Sequence, residues 1–254
     1  MIDTHCHLAD KRFDKDREAA IERARLAGVT HFIEIAYAPA IVPRAFDLAR
    51  AHPNLAVCVG VHPSESGRVP ADYLDELREH ARHARVVAIG ETGLDFYRDH
   101  APHEVQERWF RAQLQLADQL GLPVVIHQRS ALEPVLAILE EARPAAGGVL
   151  HCFDDDARAA DRAVAIGFKL GLGGCLTYGH AALEQAVKAA PAGALLLETD
   201  APYLEPEPRS LRRNEPALLA RVAKRLAELR GWTLEETGRL TTANARELFR
   251  FPLG

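Results

Sequence analysis

The sequence predicts one α/β domain whose parallel strands close into a (β/α)8 TIM barrel. Three observations predict it. Short β-rich apolar runs alternate with helical patterns along the whole chain, the signature of βα units around a parallel sheet. There are eight such runs, each followed by a helical stretch. The length, 254 residues, is close to the ~250 typical of one barrel.

The strands are expected at 1–7, 31–37, 55–62, 85–91, 123–127, 148–153, 168–172 and 194–200. The clearest helix covers 104–120, where Val105, Trp109, Ala112, Leu116 and Leu120 recur three or four apart and Gly121 is placed to end it. A second helix is expected from Asn214-Glu215-Pro216, a capping residue ahead of a proline in the first turn. A third starts at Thr233, which forms a capping-box pattern with Glu236. No GxGxxG or Walker-type loop follows the first strand, which weighs against a nucleotide-binding open sheet. No linker or compositional break divides the chain, so residues 1–254 read as one domain.

Hydrophobic residues at 48% and charged residues at 26% exclude a disordered chain. No run reaches the ~18 apolar residues of a membrane span, and Met1-Ile2-Asp3-Thr4-His5 has neither a basic nor an apolar leader segment. A cytoplasmic protein is expected. Cys6, Cys58, Cys152 and Cys175 lack CxxC spacing and read as reduced thiols. The net charge of −5 argues against non-specific coating of nucleic acid, which draws on excess Lys and Arg. It leaves room for an enzyme that grips a few phosphates.

The chemistry-bearing residues stand where the expected strands stop. The first ends His5-Cys6-His7; strand side chains alternate, so both imidazoles point the same way. The fourth ends Gly90-Glu91, the fifth Ile126-His127, the sixth His151-Cys152-Phe153 and the eighth Glu198-Thr199-Asp200. The C-terminal strand ends of such a barrel converge on one face, where its active sites sit. A single His or Asp at a strand end is ordinarily a hydrogen-bonded loop residue. Together His5, His7, Glu91, His127, His151 and Asp200 supply four imidazoles and two carboxylates. That exceeds one tetrahedral site and suits two divalent cations bridged by Glu91. His62, in Gly60-Val61-His62-Pro63, reads as a substrate contact, with an extra ligand or a turn residue as its alternatives. His52, His80, His83, His100, His103 and His180 fall in helical or loop segments and read as surface residues.

These residues resemble the TatD family of metal-dependent deoxyribonucleases, in the amidohydrolase superfamily. The match runs through Asp3-Thr4-His5-Cys6-His7, Gly60-Val61-His62-Pro63, Gly90-Glu91-Thr92-Gly93-Leu94-Asp95, Val125-Ile126-His127 and His151-Cys152-Phe153. It continues in Glu198-Thr199-Asp200-Ala201-Pro202-Tyr203-Leu204, Asn214-Glu215-Pro216 and Thr242-Ala243-Asn244-Ala245. The run Gly167-Phe168-Lys169-Leu170-Gly171-Leu172-Gly173-Gly174 looks closest to the YjjV-like branch. The resemblance implies an α/β barrel, one to three divalent cations and phosphodiester hydrolysis of DNA. It places His5, His7, Glu91 and Asp200 around one metal and Glu91, His127 and His151 around a second. Magnesium or manganese is implied for turnover, whereas four histidines favour zinc, manganese or nickel by ligand preference. Two loops depart from the family pattern: Ser210-Leu211-Arg212 replaces an Arg-Gly-Lys run, and Gln128-Arg129-Ser130 follows the fifth strand.

On this reading Asp200 is both ligand and proton acceptor. Arg129, Arg209, Arg212 and Arg213 are candidate phosphate contacts, since guanidinium matches phosphate bidentately. Glu198 and Asn244 read as supporting residues. DNA or another nucleic-acid ester is the expected partner, with no membrane and no obligate protein partner. Rival readings are a metal-dependent hydrolase of another ester or amide, such as a D-aminoacyl-tRNA deacylase, a phosphoesterase of the polymerase-and-histidinol-phosphatase type, and a binding module. Amide-cleaving superfamily members often carry a carboxylated lysine at strand four, where this chain has Glu91. The phosphoesterases usually close with Asp-x-His, where this chain has Asp200-Ala201-Pro202. A binding module would leave the six strand-end ligands unexplained.

Overall fold

In the computed structural model, which describes residues 1–98, 100–209 and 213–251, the apolar runs become eight parallel strands paired in sequence order. They are β1 (Ile2–Cys6), β2 (His31–Ala36), β3 (Leu55–Val59), β4 (Val86–Asp95), β5 (Val124–Arg129), β6 (Gly148–Leu150), β7 (Phe168–Leu172) and β8 (Leu195–Leu197). Helices α1 (Arg17–Leu26), α2 (Val42–Ala51), α3 (Tyr73–Ala81), α4 (His103–Leu120), α5 (Leu132–Ala142), α6 (Ala157–Ala165) and α7 (Ala181–Ala189) form the crossovers. After β8 come α8 (Leu219–Arg230) and α9 (Leu234–Phe249). The strands are buried on both faces, which is why they read as continuous apolar runs rather than alternating ones.

Two apolar layers follow from this. Outward-facing strand residues such as Phe32, Val57, Ile89 and Leu170 pack under the helices. Inward-facing Ile33, Ile35, Val87, Val125, Val149 and Leu196 fill the barrel and meet Leu248, Phe249 and Phe251, so α9 and the residues after it join the interior core. The polar strand ends are thereby left to the opposite, C-terminal mouth.

The seam between β8 and β1 is closed beyond the regular ladder. Asp200 N–H donates to His5 O at 2.9 Å and His7 N–H to Ala201 O at 2.8 Å. Buried Asp3 accepts from Thr199 N at 3.0 Å and from Thr199 Oγ1 at 2.6 Å. The seam bonds therefore fix the strand ends that carry His5, His7 and Asp200 against each other.

Several expectations shift. β4 runs four residues past Glu91, because after an irregularity between Gly90 and Thr92 the segment pairs again with β5 as far as Asp95↔Arg129. The buried stripe of α4 is centred on Gln106, Trp109, Phe110 and Gln113, with Val105 and Ala112 on its flank. Gly121 ends that helix at φ 65°. Pro216 opens a 3-10 turn over Pro216–Leu218, and the α-helix begins only at Leu219. The capping box at Thr233 and Glu236 forms. All four cysteines are free thiols. Among the described residues no helix is long and apolar enough to cross a membrane.

Candidate metal centre

The strand ends open into a cleft of about 610 Å³ whose lining includes His7, His62, Glu91, His127, His151 and Asp200. His5 lies beneath it, fully buried. Glu91, at 4% exposure, stands between two groups of imidazoles and divides its oxygens between them. Its Oε2 is 3.5 Å from His5 Nε2. Its Oε1 is 2.8 Å from His127 Nδ1, 3.2 Å from His151 Nε2 and 3.6 Å from His62 Nε2. On the β1 side Asp200 Oδ1 lies 3.2 Å from His7 Nε2 and 3.6 Å from His5 Nε2. The ligand-capable atoms of His5, His7 and Asp200 lie within 4.8 Å of one another, as do those of His62, Glu91 and His127 and those of His5, His151 and Glu198.

These residues fit a metal on physical grounds. Both ring nitrogens of His5, Nδ1 of His7 and Nε2 of His127 are buried without a hydrogen-bond partner. Buried polar atoms are almost always paired, and an imidazole lone pair without a proton donor is satisfied by a cation. Charge agrees. Burial pushes the Glu91 carboxyl up, but the charge of His151, with the hydrogen bond from His127, overcomes it and holds Glu91 well below the usual range. Burial likewise pushes Asp200 up, and His7, His151 and His5 reverse it. Both carboxylates are therefore ionised, the state a cation would require. Burial and then His127 bring His62 down to about 3, so its imidazole is neutral.

Backbone conformation marks the same place. Ser130, Cys152, Asp200 and Leu204 have φ between 50° and 56°, and all four line the cleft. Each such residue costs about 1–3 kcal/mol, which the surrounding fold must hold in place.

A profile of the TatD related DNase family matches residues 2–250. The chain belongs to this family. It is 38% identical over 252 residues to the uncharacterized metal-dependent hydrolase YabD of Bacillus subtilis strain 168, covering 98% of this chain and 99% of the relative. It is 39% identical over 259 residues to a 3'-5' ssDNA/RNA exonuclease TatD of Pantoea sp. strain At-9b, with the same coverage. The crystal structure of YjjV, a TatD homolog from Escherichia coli K12, superimposes with a TM-score of 0.94 at 34% identity, covering 99% of this chain and 98% of that one. This TatD-family barrel is a metal-dependent hydrolase.

In this TatD barrel the helices behind the strands hold the site with buried amides. On α4, Gln113 accepts from Val61 N at 2.8 Å and donates to Val61 O at 3.0 Å and Thr92 Oγ1 at 2.7 Å. It thus ties the His62 loop to the residue after Glu91. Two turns earlier on the same face, Gln106 accepts from Asp95 N at 2.8 Å and donates to Asp95 O at 3.1 Å. Glycine is required where β3 and β4 touch: a Cβ at Gly60 would lie 2.5 Å from the Gly90 carbonyl carbon. Asn214 donates to Thr199 O at 2.8 Å and Tyr203 O at 2.5 Å, bracketing the Asp200 loop. It holds this loop rather than capping a helix. Asn244 donates to Ala192 O at 2.8 Å and Leu195 O at 2.9 Å at the start of β8.

Glu198 is fully buried, in space left by Gly171, where a Cβ would meet its Oε2 at 2.1 Å. Its Oε1 accepts from Cys152 N at 2.5 Å and lies 3.2 Å from His151 Nδ1. A carboxylate on Nδ1 selects the tautomer whose Nε2 lone pair faces Glu91 and the cleft. Glu198→Gln is therefore expected to lower metal affinity about tenfold to a hundredfold, read by metal titration of the stripped protein; unchanged affinity would contradict this role.

The candidate substrate contacts separate. His62 and Arg129 line the cleft, with His62 drawn toward Glu91. Arg209 is absent from that lining; it pairs with Glu207 at 3.1 Å and lies over the Tyr178 ring. Arg213 is held by Asp16 at 2.7 Å and lies over Phe13, so its guanidinium is a structural tie to α1. Arg212 lies outside the described residues. Sequence reasoning missed Asp95, whose Oδ2 is 3.4 Å from His127 Nε2, and cleft-lining Arg98 and Tyr37. Asp95 is signalled by its spacing from Glu91, four residues along one strand.

The loop after β6 carries a pH-dependent element. Asp155 accepts from Gln128 Nε2 at 2.6 Å. Burial, then Asp154 and Asp156, raises its carboxyl from 3.8 to about 6. The native state therefore binds this proton more tightly than the unfolded chain, so the stability it gives is present below pH ~4 and lost as pH rises through ~6. Asp155→Asn should raise stability by roughly 1 kcal/mol at pH 8, ~2–4 °C in Tm after allowing for solvent screening. At pH 4 it should change nothing. Equal Tm shifts at both pH values in thermal melts would refute the assignment.

Proposed function

We propose that the chain hydrolyses phosphodiester bonds of single-stranded nucleic acid from an end. In this reading His5, His7, Glu91 and Asp200 hold one divalent cation, and Glu91, His127 and His151 hold a second. Magnesium or manganese would serve turnover. The observation that carries the reading is Glu91, a buried carboxylate with one oxygen toward each imidazole group. It lies under a cleft whose wall carries Arg98 and Arg129. The relative named a 3'-5' ssDNA/RNA exonuclease, 39% identical, supports the substrate class and the direction.

Bound cations would neutralise the non-bridging phosphate oxygens and acidify the attacking water. The chain's own residues do the rest. Asp200, ionised and with Oδ1 3.2 Å from His7 Nε2, would accept the proton of that water. Arg129 and Arg98 would orient the phosphate from the cleft wall. The net charge of −5 means that this grip is local, confined to the mouth.

The test is nucleotide release from labelled single-stranded DNA by chelator-stripped protein re-fed Mg2+, Mn2+ or Zn2+ in turn. Cleavage should return with metal and be lost in His127→Ala. Metal uptake without cleavage under any cation would overturn the nuclease reading and move the assay to other esters, D-aminoacyl-tRNA first.

A further inference from the structure

Among the described residues the exposed large apolar side chains are Leu26, Tyr97, Tyr203, Leu204 and Leu234. Three of these stand at the cleft. Tyr203 and Leu204 line it, and Tyr97 lies beside Arg98 and beneath Arg129, which line it too. Exposing an aromatic ring to water forfeits the stabilisation its burial would give, so a cluster of them at one mouth marks a surface that something covers.

Each tyrosine carries an arginine. The Arg12 guanidinium lies 4.1 Å from the Tyr203 ring centroid, and that of Arg129 lies 4.0 Å from the Tyr97 centroid. Tyr203 and Arg12 follow β8 and β1, whereas Tyr97 and Arg129 belong to the ends of β4 and β5. In an eight-stranded ring paired in sequence order, the β8–β1 seam and the β4–β5 pair face each other across the mouth. Glu91 and the imidazoles lie between them. Tyr203 reaches the site directly: its ring centroid is 5.7 Å from that of His7.

The two pairs differ in charge. One edge of the Arg12 guanidinium is taken by Asp10, at 3.1 Å from Nε and 3.1 Å from Nη2, which offsets its charge and holds it flat over its ring. Arg129 pairs with no carboxylate among the described residues.

We infer that one strand of nucleic acid crosses the mouth from Tyr203 to Tyr97, stacking a base on each ring with the scissile phosphate between them. Arg129 binds a backbone phosphate, and the Arg12–Tyr203 pair serves base stacking alone. This rests on the nuclease reading and adds to it a path and a reason for single strands. A duplex has its base faces already covered, whereas an unpaired base has a face to give.

The test uses the metal-loaded protein and a fluorescent phosphorothioate oligothymidylate, which resists cleavage, beside the same backbone made abasic. Binding is read by anisotropy. Wild-type protein should prefer the intact strand. Tyr203→Leu and Tyr97→Leu should each weaken that strand about fivefold to a hundredfold and leave the abasic one unchanged, while Tyr→Phe at either site keeps the preference. Arg129→Ala should lower the dependence of log Kd on log salt by about 0.7, and Arg12→Ala should not. Tyr97, being 64% exposed, keeps the test open if a Tyr203 variant folds poorly. If wild-type protein binds and cuts DNA but does not distinguish intact from abasic strands, or the leucine variants keep the preference, the stacking path is overturned and the nuclease reading stands. If it neither binds nor cuts either unmodified or phosphorothioate DNA, both fall.

Discussion

Glu91→Gln is expected to lower turnover at least about a thousandfold, ~4 kcal/mol of barrier, and to reduce the metal bound per chain. The substitution keeps the side chain's volume in a position only 4% exposed, so packing is preserved. What changes is charge. The native carboxylate sits within 3.6 Å of four imidazoles, His5, His62, His127 and His151, and its two oxygens serve two groups at once. An amide offers one acceptor and turns an N–H toward nitrogens that need a lone pair free for metal. Elemental analysis and single-stranded DNA hydrolysis read the two effects separately. A variant with wild-type metal content and rate would remove Glu91 from the centre of the site. Metal binding to the native protein at a hundredfold excess over Kd adds about 2.7 kcal/mol, so chelation should lower the wild-type melting temperature by roughly 5–10 °C and affect Glu91→Gln far less.

The barrel and the ring of strand-end residues were legible because both follow from one pattern. A parallel strand is apolar on both faces until it leaves the sheet, so the first His, Glu or Asp after each run marks the mouth. Glu91, His127 and His151 were found this way. What could not be read depends on partners far along the chain. Arg213 looks like any loop arginine, and its partner Asp16 is 197 residues away. The face that Arg209 shows is set by Tyr178 and Glu207, not by local spacing. The apolar spacing of Val105, Trp109, Ala112, Leu116 and Leu120 passes over Gln106 and Gln113, since a glutamine on a helix ordinarily marks its wet side. Here both are buried, because strand-end backbone at Val61 and Asp95 needs hydrogen-bond partners. Asp95 escaped because polar Thr92 and Gly93 suggested that β4 had ended, while the ladder to β5 continued beneath them.

Asp200→Asn should separate proton transfer from metal retention. Asp200 is held in the left-handed region at φ 56°, where Asn is also accommodated, so the loop should keep its shape. Asn214 continues to brace it through Thr199 O and Tyr203 O. The variant retains an oxygen to face His5 and His7 but has lost the ionised acceptor. Turnover should therefore fall about a hundredfold to ten-thousandfold, while KM for single-stranded DNA stays near the wild-type value, because the proposed strand contacts at Arg98, Arg129 and the two tyrosines lie elsewhere in the mouth. Metal content should fall less than in Glu91→Gln, since Glu91 is the carboxylate placed to serve both imidazole groups and Asp200 faces only one. Full turnover in Asp200→Asn would show that another group takes the proton. Asp95, 3.4 Å from His127, is the next carboxylate on the cleft wall to replace.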